Sequence, residues 1–316
     1  MQKIVVIGEI LVEIMAVEPG NGFRGPIALE GPFPSGAPAI FIDQVARLGH
    51  PCAIVSMVGD DDFGRVNLDR LKADGVDTTG IGVHPDRPTG SAFVRYRPDG
   101  SRDFVYNIRH SACGFLPDAG AMRPVLESAG HFHVMGSSLS SPEFTRLNIE
   151  TVRAVKARGG TVSFDPNLRK ELLDAPGMRE AMGTILRRTD LFLPSGDELT
   201  LLTEATDGAG AVAELLGQGV RAIVHKRGAE GVTYHDADGP RHAPGFRVEE
   251  IDPTGAGDCF GGAFVALWLR GGDVDAALTL ACAAGARAVT RRGPMEGAST
   301  RAELDDFMTL TERRKA

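Results

Sequence analysis

Short apolar runs alternate along this chain with longer segments of helical periodicity, and that rhythm leaves few folds open. The runs are Ile4–Ile7, Ala53–Met57, Phe132–Met135, Thr161–Phe164, Leu191–Leu193 and Ala222–His225, each bounded by Gly, Pro or polar residues. Runs of that length and composition read as strands buried on both faces. Between them lie helical patterns at Ala39–Leu48, Gly64–Ala73, Pro142–Ala157, Gly177–Arg187, Glu198–Leu202 and Gly210–Leu216. Strands alternating with helices imply an α/β fold whose mainly parallel sheet is covered on both sides. From Gly257 onward the pattern turns helical, with Asp273–Ala288 and Thr300–Glu312 following a first helix.

Two segments break the rhythm. Residues 12–33 are rich in Gly and Pro, and residues 88–110 form two alternating runs around Pro98-Asp99-Gly100. The second reads as a hairpin with a suitable turn. Together they predict a small antiparallel sheet projecting from the main body. No repeat, low-complexity stretch or long linker divides the chain, so residues 1–316 read as one domain.

Composition narrows the partners. A net charge of −8 repels nucleic acid and acidic membranes, so neither is expected as a partner. No apolar run is long enough to span a bilayer, and the N-terminus reads as a buried strand rather than a signal peptide. Cys52, Cys113, Cys259 and Cys282 are scattered, which suggests neither a zinc site nor a disulfide framework. A reducing cytoplasm is the simplest compartment. His131 and His133 would share one strand face, but no acidic or Cys partner lies nearby in sequence, so a strand end is preferred to a metal pair. The acids Asp60, Asp61 and Asp62 read as a loop and helix N-cap.

The chemistry concentrates at Asp252-Pro253-Thr254-Gly255-Ala256-Gly257-Asp258-Cys259-Phe260. Gly255, Ala256 and Gly257 let backbone N–H groups approach a ligand closely. If Phe260–Leu269 continues as a helix, those groups sit at its N-terminus, where orphan donors and the dipole attract anions. A carboxylate fixed beside an anion site makes sense if Asp258 accepts a proton from a hydroxyl that attacks phosphorus. There is no G-x-x-x-x-G-K-[ST], which excludes a P-loop. Gly20 to Gly25 matches G-x-G-x-x-G, but Pro26 and a strand-like run follow instead of a helix, so no dinucleotide site is expected.

DPTGAGDCF resembles the C-terminal motif of the ribokinase-like (PfkB-type) carbohydrate kinases, and further matches follow in family order from Gly8 to about Gly293. The resemblance implies a three-layer α/β/α domain with a small β-sheet lid over a sugar, often a homodimer contact. It implies ATP and Mg²⁺, with Asp258 as catalytic base and Gly255, Ala256 and Gly257 as the anion hole. Ser35-Gly36-Ala37-Pro38-Ala39 is similar to the family's GGAPxN motif and places Gly36 and Ala37 beside the sugar. Ser35 replaces its first Gly, and Ile40 stands where an Asn is usual. Glu13 stands where an Asp commonly binds a sugar hydroxyl.

The remaining matches extend the resemblance. Asp165-Pro166-Asn167-Leu168-Arg169 is similar to D-x-N-x-R and implies Asn167 and Arg169 at the phosphate and substrate; an Asp165–Arg169 ion pair is the structural alternative. Ser195 and Glu198 align with N-x-x-E, Ser195 replacing the Asn and Glu198 keeping the acid that organises Mg²⁺. Lys226, Gly228 and Gly231 match K-x-G-x-x-G beside ATP, with Lys226 facing the phosphates. The run Ala281–Ala286 is similar to the small-residue helix that packs on adenine, which brings in Cys282.

Tyr106-Asn107-Ile108-Arg109-His110-Ser111-Ala112 resembles the Y-x-R-x-x-S-A region of 2-keto-3-deoxygluconate kinases, with one residue more between Tyr106 and Arg109. The expected substrate is therefore 2-keto-3-deoxygluconate, with a ketohexose such as tagatose or fructose second. A catalytically silent sugar or nucleotide sensor is the reading from another class, opposed by the intact Asp258, Lys226 and Glu198. An NAD-dependent dehydrogenase lacks its fingerprint after the first strand.

Overall fold

The computed structural model of the chain describes residues 1–20, 22–98, 101–167 and 177–314. The first half contains β1 (Ile4–Ile7), β2 (Leu11–Ala16), β3 (Leu29–Ser35), α1 (Ala37–Arg47), β4 (Cys52–Gly59), α2 (Asp62–Ala73) and β5 (Ile81–His84). Then follow β6 (Gly90–Tyr96), β7 (Arg102–Asn107), α3 (Ala119–Glu127), β8 (His131–Met135), α4 (Pro142–Ala157) and β9 (Thr161–Asp165). The second half contains α5 (Met178–Leu186), β10 (Leu191–Phe192), α6 (Glu198–Leu201), α7 (Gly208–Gly217), β11 (Ala222–Lys226), β12 (Gly231–Asp236) and β13 (Gly239–Pro244). The last helices are α8 (Ala256–Arg270), α9 (Val274–Ala288) and α10 (Arg301–Leu310).

Among the described residues, nine strands form the main sheet in the order β13-β12-β11-β10-β9-β8-β1-β4-β5. The pairs from β11 to β5 are parallel, and β11–β12–β13 is an antiparallel edge. Strand alternation sorts side chains to two cores. Ile4 and Val6 of β1 pack with Phe41, Phe264 and Leu304 on the face covered by α1, α8, α9 and α10. Val5 and Ile7 pack with Phe144, Met182 and Leu215 on the face covered by α3, α4, α5 and α7. Both faces are thus dry, which is why the strands read as unbroken apolar runs.

Local signals set the helix starts. Asp61 caps α2 by accepting from the Gly64 N–H at 2.8 Å, as its acidic loop predicted. Ser141 caps α4 ahead of Pro142, and Thr300 with Glu303 forms a capping box on α10. No helix among the described residues is long and apolar enough to cross a membrane.

β1 leads to β4 on one side and neighbours β8 on the other, so the strand order reverses there. Ligands in open α/β sheets bind beyond the strand C-termini at such a point. Glu9, Asp165, Asn167 and Lys226 follow or end β1, β9 and β11 at that edge.

A separate four-stranded sheet runs β3-β2-β6-β7. It corrects one expectation: it is not antiparallel throughout, because β2 and β6 pair in parallel, Leu11 with Gly90 through Met15 with Val94. The described residues among 17–28 of the Gly/Pro-rich segment form none of its strands, and the Asp99-Gly100 turn lies outside the described residues. The β12–β13 edge, the half-buried β5 and α3, which carries Pro124 inside it, were not expected.

The lower end of the sheet is stapled by Asp190, which is 6% exposed. Its carboxylate accepts the Val162 N–H at 2.8 Å and the Lys156 ammonium at 2.8 Å, and its carbonyl accepts from Arg221 and Ala222. Asp190→Ala orphans a buried amide and is expected to cost about 1–3 kcal/mol. Urea unfolding should show a lower midpoint at unchanged m.

Candidate active site

Helix α8 begins at Gly255, whose φ of 79° lies in the left-handed region. A Cβ there would lie 2.4 Å from the Pro294 carbonyl oxygen and 3.2 Å from Ile40 Cγ2. Ile40, the departure from the usual Asn, is thus a buried wedge between the starts of α1 and α8. Among the described residues, no side chain caps α8. Its first turn closes with the Cys259 N–H donating to the Gly255 carbonyl at 2.8 Å, and the Ala256 N–H donates to the Pro253 carbonyl at 3.5 Å, which leaves the Gly257 and Asp258 amides at the open helix end.

Lys226 Nζ lies 3.9 Å from where a Gly257 Cβ would sit, which puts an ammonium against those amides. Its salt-bridge partner is Asp165, which is 2% exposed, with Lys226 at 11%. Burial alone would pull the lysine pKa down; the charge and hydrogen bond of Asp165 outweigh it and hold the group above its ordinary value. The described partner of Asp165 is therefore Lys226. Arg169, the alternative partner and a predicted phosphate ligand, lies outside the described residues.

Asp258 is buried at the same helix start. Burial pushes its carboxyl up to about 8, Asp165, Glu9 and Glu13 add repulsion, and Lys226 opposes them. Asn167 Nδ2 donates to Asp258 Oδ1 at 3.1 Å. Asn167 holds φ at 42°, a costly conformation for a residue with a side chain, and its N–H donates to Asp165 Oδ1 at 3.1 Å. A strained residue thus ties the end of β9 to Asp258.

The small sheet brings a second set of groups. Glu13 is opposite Phe33 on β3 and Ala92 on β6, and Ala92 is opposite Tyr106 on β7. Directly paired residues share a face, so Phe33, Glu13, Ala92 and Tyr106 form one row across strands about 4.8 Å apart. Tyr106 is 37% exposed and stacks on Phe104 at 5.1 Å. Ser35 Oγ donates to Glu13 Oε1 at 2.8 Å. The two departures from the family pattern, Ser for Gly and Glu for Asp, are therefore partners in one hydrogen bond. Gly36 caps α1 at φ 115°, where a Cβ would meet the Glu9 carbonyl at 2.3 Å, and Ala37 is half-buried beside it.

Other predicted residues lie further out. Glu198 accepts the Ser195 N–H at 2.7 Å at the start of α6 and lies within the field of Lys226. Gly228 and Gly231 flank the turn from β11 to β12; a Cβ on Gly231 would meet the Ala243 carbonyl at 2.1 Å. Cys282 is buried in α9, its Sγ 4.0 Å from the Ala243 carbonyl. Arg109 is exposed just past β7. His131 and His133 are fully buried and both bond Ser163 Oγ at 2.7 Å. Burial pushes His131 down to about 3 and His133 well below its ordinary value. Among the described residues, no group of three or more His, Cys, Asp or Glu forms a metal cage.

The sequence reading gave no role to Tyr96, Asp252 or Arg102. Tyr96 donates to Asp252 Oδ1 at 2.5 Å, and Arg102 donates to Thr254 Oγ1 at 3.0 Å. Their signal was the alternation of β6 and β7, which puts Ala92, Val94 and Tyr96 on one face, but nothing in it names a partner more than 150 residues away.

The sequence profile of the pfkB family carbohydrate kinases matches residues 1–301. The chain belongs to that family. The kinase is 31% identical over 318 residues to fructokinase-2 of Zea mays, covering 96% of this chain and 93% of the relative. It is 32% identical over 318 residues to the 2-dehydro-3-deoxygluconokinase of Thermoproteus tenax, covering 98% and 94%. A structure from E. coli, of a protein provisionally named ribokinase II in complex with ATP and Mg²⁺, superposes with a TM-score of 0.93 at 50% identity, covering 98% of this chain and 100% of the other.

Lys226→Met leaves the kinase with Asp165 buried and unpaired. Breaking a buried pair in this way costs about 3–5 kcal/mol. Chemical denaturation should show that loss, while Lys226→Arg should keep most of the stability.

Proposed function

We propose that this sugar kinase transfers the γ-phosphate of ATP to a primary hydroxyl of a neutral ketohexose such as tagatose or fructose. The observation that carries the reading is the set of buried carboxylates at the site: Glu13 on the small sheet, Asp165 at the end of β9 and Asp258 at the start of α8, so an acid group on the sugar would meet like charge. Glu13, oriented by Ser35, accepts a sugar hydroxyl, and Tyr106 with Gly36 and Ala37 borders the same space. 2-Keto-3-deoxygluconate is the second reading, supported by the Thermoproteus tenax relative and by Arg109 as a cation for the acid.

The donor set fits a nucleotide triphosphate. Orphan amides, a side-chain-free Gly257 and the Lys226 ammonium meet at one helix end. ATP with Mg²⁺ supplies the electrophilic phosphorus when bound. Glu198 would hold the metal through water, since Mg²⁺ keeps several waters. Asn167 borders the phosphate, and Ser195, Gly228, Gly231 and the small-residue stretch around Cys282 flank the nucleotide.

Asp258 removes the proton from the attacking hydroxyl. The amides of Gly255, Ala256, Gly257 and Asp258, with Lys226, hold the charge of the transferring group. The small sheet β3-β2-β6-β7 acts as a lid that excludes water. Its exposed Leu29 and Val105 suit a homodimer contact. Cys52, Cys113, Cys259 and Cys282 are free and buried, in keeping with a reducing cytoplasm.

A coupled ADP-release assay across tagatose, fructose, ribose, adenosine and 2-keto-3-deoxygluconate tests the substrate. Turnover on a ketohexose is expected, and turnover on the keto acid alone would replace it with the second reading. Asp258→Asn should lower kcat by about 10²- to 10⁴-fold with the fold intact. Near-normal turnover in that variant would sink the role given to Asp258. Because the base must be ionised and its pKa is raised to about 8, kcat/KM for the sugar should climb with pH and level off above that value. A profile flat from pH 6 to 9 contradicts it.

A further inference from the structure

We infer that Tyr96 is a positioning residue that couples docking of the small sheet to the shape of the anion-binding turn. The inference rests on the kinase reading of the Gly255–Asp258 helix start and goes beyond it.

Asp252 opens that turn and is 1% exposed. A carboxylate buried so completely must collect donors, and this one does. Oδ1 accepts the Thr254 N–H at 3.0 Å and the Tyr96 hydroxyl at 2.5 Å. Oδ2 accepts the Gly293 N–H at 3.0 Å. Asp252 therefore joins the turn before α8 to the loop after α9, whose Pro294 carbonyl packs against Gly255.

The remaining donor comes from the other sheet. Tyr96 ends β6, and burial with the bond to Asp252 pushes its own ionisation well above the ordinary tyrosine range, so it stays a donor at working pH. Arg102, opposite Tyr96 on β7, makes the second tie to Thr254. On the far side of the sheet Arg292, next to Gly293, pairs with Glu30 at 2.7 Å and donates to the Ala16 carbonyl at 2.8 Å. The small sheet thus grips both loops that frame the start of α8. When it moves away, Asp252 loses Tyr96, water replaces it, and the turn that aims the Gly257 and Asp258 amides loses a restraint. Sugar binding beneath the sheet then organises the site for the transferring phosphate.

Tyr96→Phe removes the hydroxyl and keeps the ring. Titration calorimetry with Mg²⁺ compares a non-hydrolysable ATP analogue with ADP, which lacks the group the turn would hold. The expected result is about three- to tenfold weaker binding of the analogue with ADP unchanged, the range of one hydrogen bond. Hydrogen exchange on the free protein should speed up in residues 252–260 and stay unchanged in 161–165. A merely structural bond would weaken both nucleotides alike or loosen every segment. Either of those results, or no change in both measurements, overturns the inference. Asp258→Asn run alongside keeps the two ideas apart. If it turns over normally, the catalytic reading fails; if it is inactive but Tyr96→Phe shows no analogue-specific loss, the coupling fails.

Discussion

The ion pair of Lys226 and Asp165 joins the ends of two strands that are not neighbours in the sheet, and the site is arranged around it. Removing an ammonium and a carboxylate from water is costly, and the attraction offsets that cost only when the groups meet closely. β9 and β11, with β10 between them, supply that fixed separation. Once paired, Asp165 is an anchor for Asn167, and Lys226 is a cation held against the start of α8. Asp258 then sits among carboxylates in a dry place, and its proton affinity rises as a result. The pair thus sets both the direction of the ammonium and the chemistry of the group beside it.

The small sheet adds what the main sheet lacks. Its row of Phe33, Glu13, Ala92 and Tyr106 presents an acceptor between aromatic groups, the mixture of polar and apolar surface that a sugar ring presents in return. Ser35 and Glu13 show two departures from a family pattern that compensate each other. The longer acid needs an orienting donor, and the hydroxyl that replaces a glycine hydrogen supplies one. Ile40 shows the opposite case, a position turned over to packing between two helix starts.

Much of the fold was legible because both faces of the sheet are dry. β1 and α4 fell where their apolar periods placed them, with errors of one or two residues at the ends of most others. The hairpin β12–β13 was hidden because its edge strand, GPRHAP, mixes exposed and buried positions. The parallel pairing of β2 with β6 was hidden for another reason. Alternation says which face a residue takes but not which neighbour lies beside it. In the site, Asp258, Gly255 and Lys226 were visible in motifs, whereas the tie between Asp252 and Tyr96 was not.

By itself the sequence determined the local terms: where the buried strands and most helices run, where glycine frees the backbone before α8, and which acid stands at that helix start. Those follow from periodicity and backbone sterics over a few residues. The tertiary structure decided the pairings: Lys226 with Asp165, Ser35 with Glu13, Asn167 with Asp258, and Tyr96 with Asp252. Each joins groups from distant parts of the chain. Charge and burial act through space, so the proton affinity of Asp258 and the grip of the small sheet arise only when the packed layers bring those groups within a few ångströms.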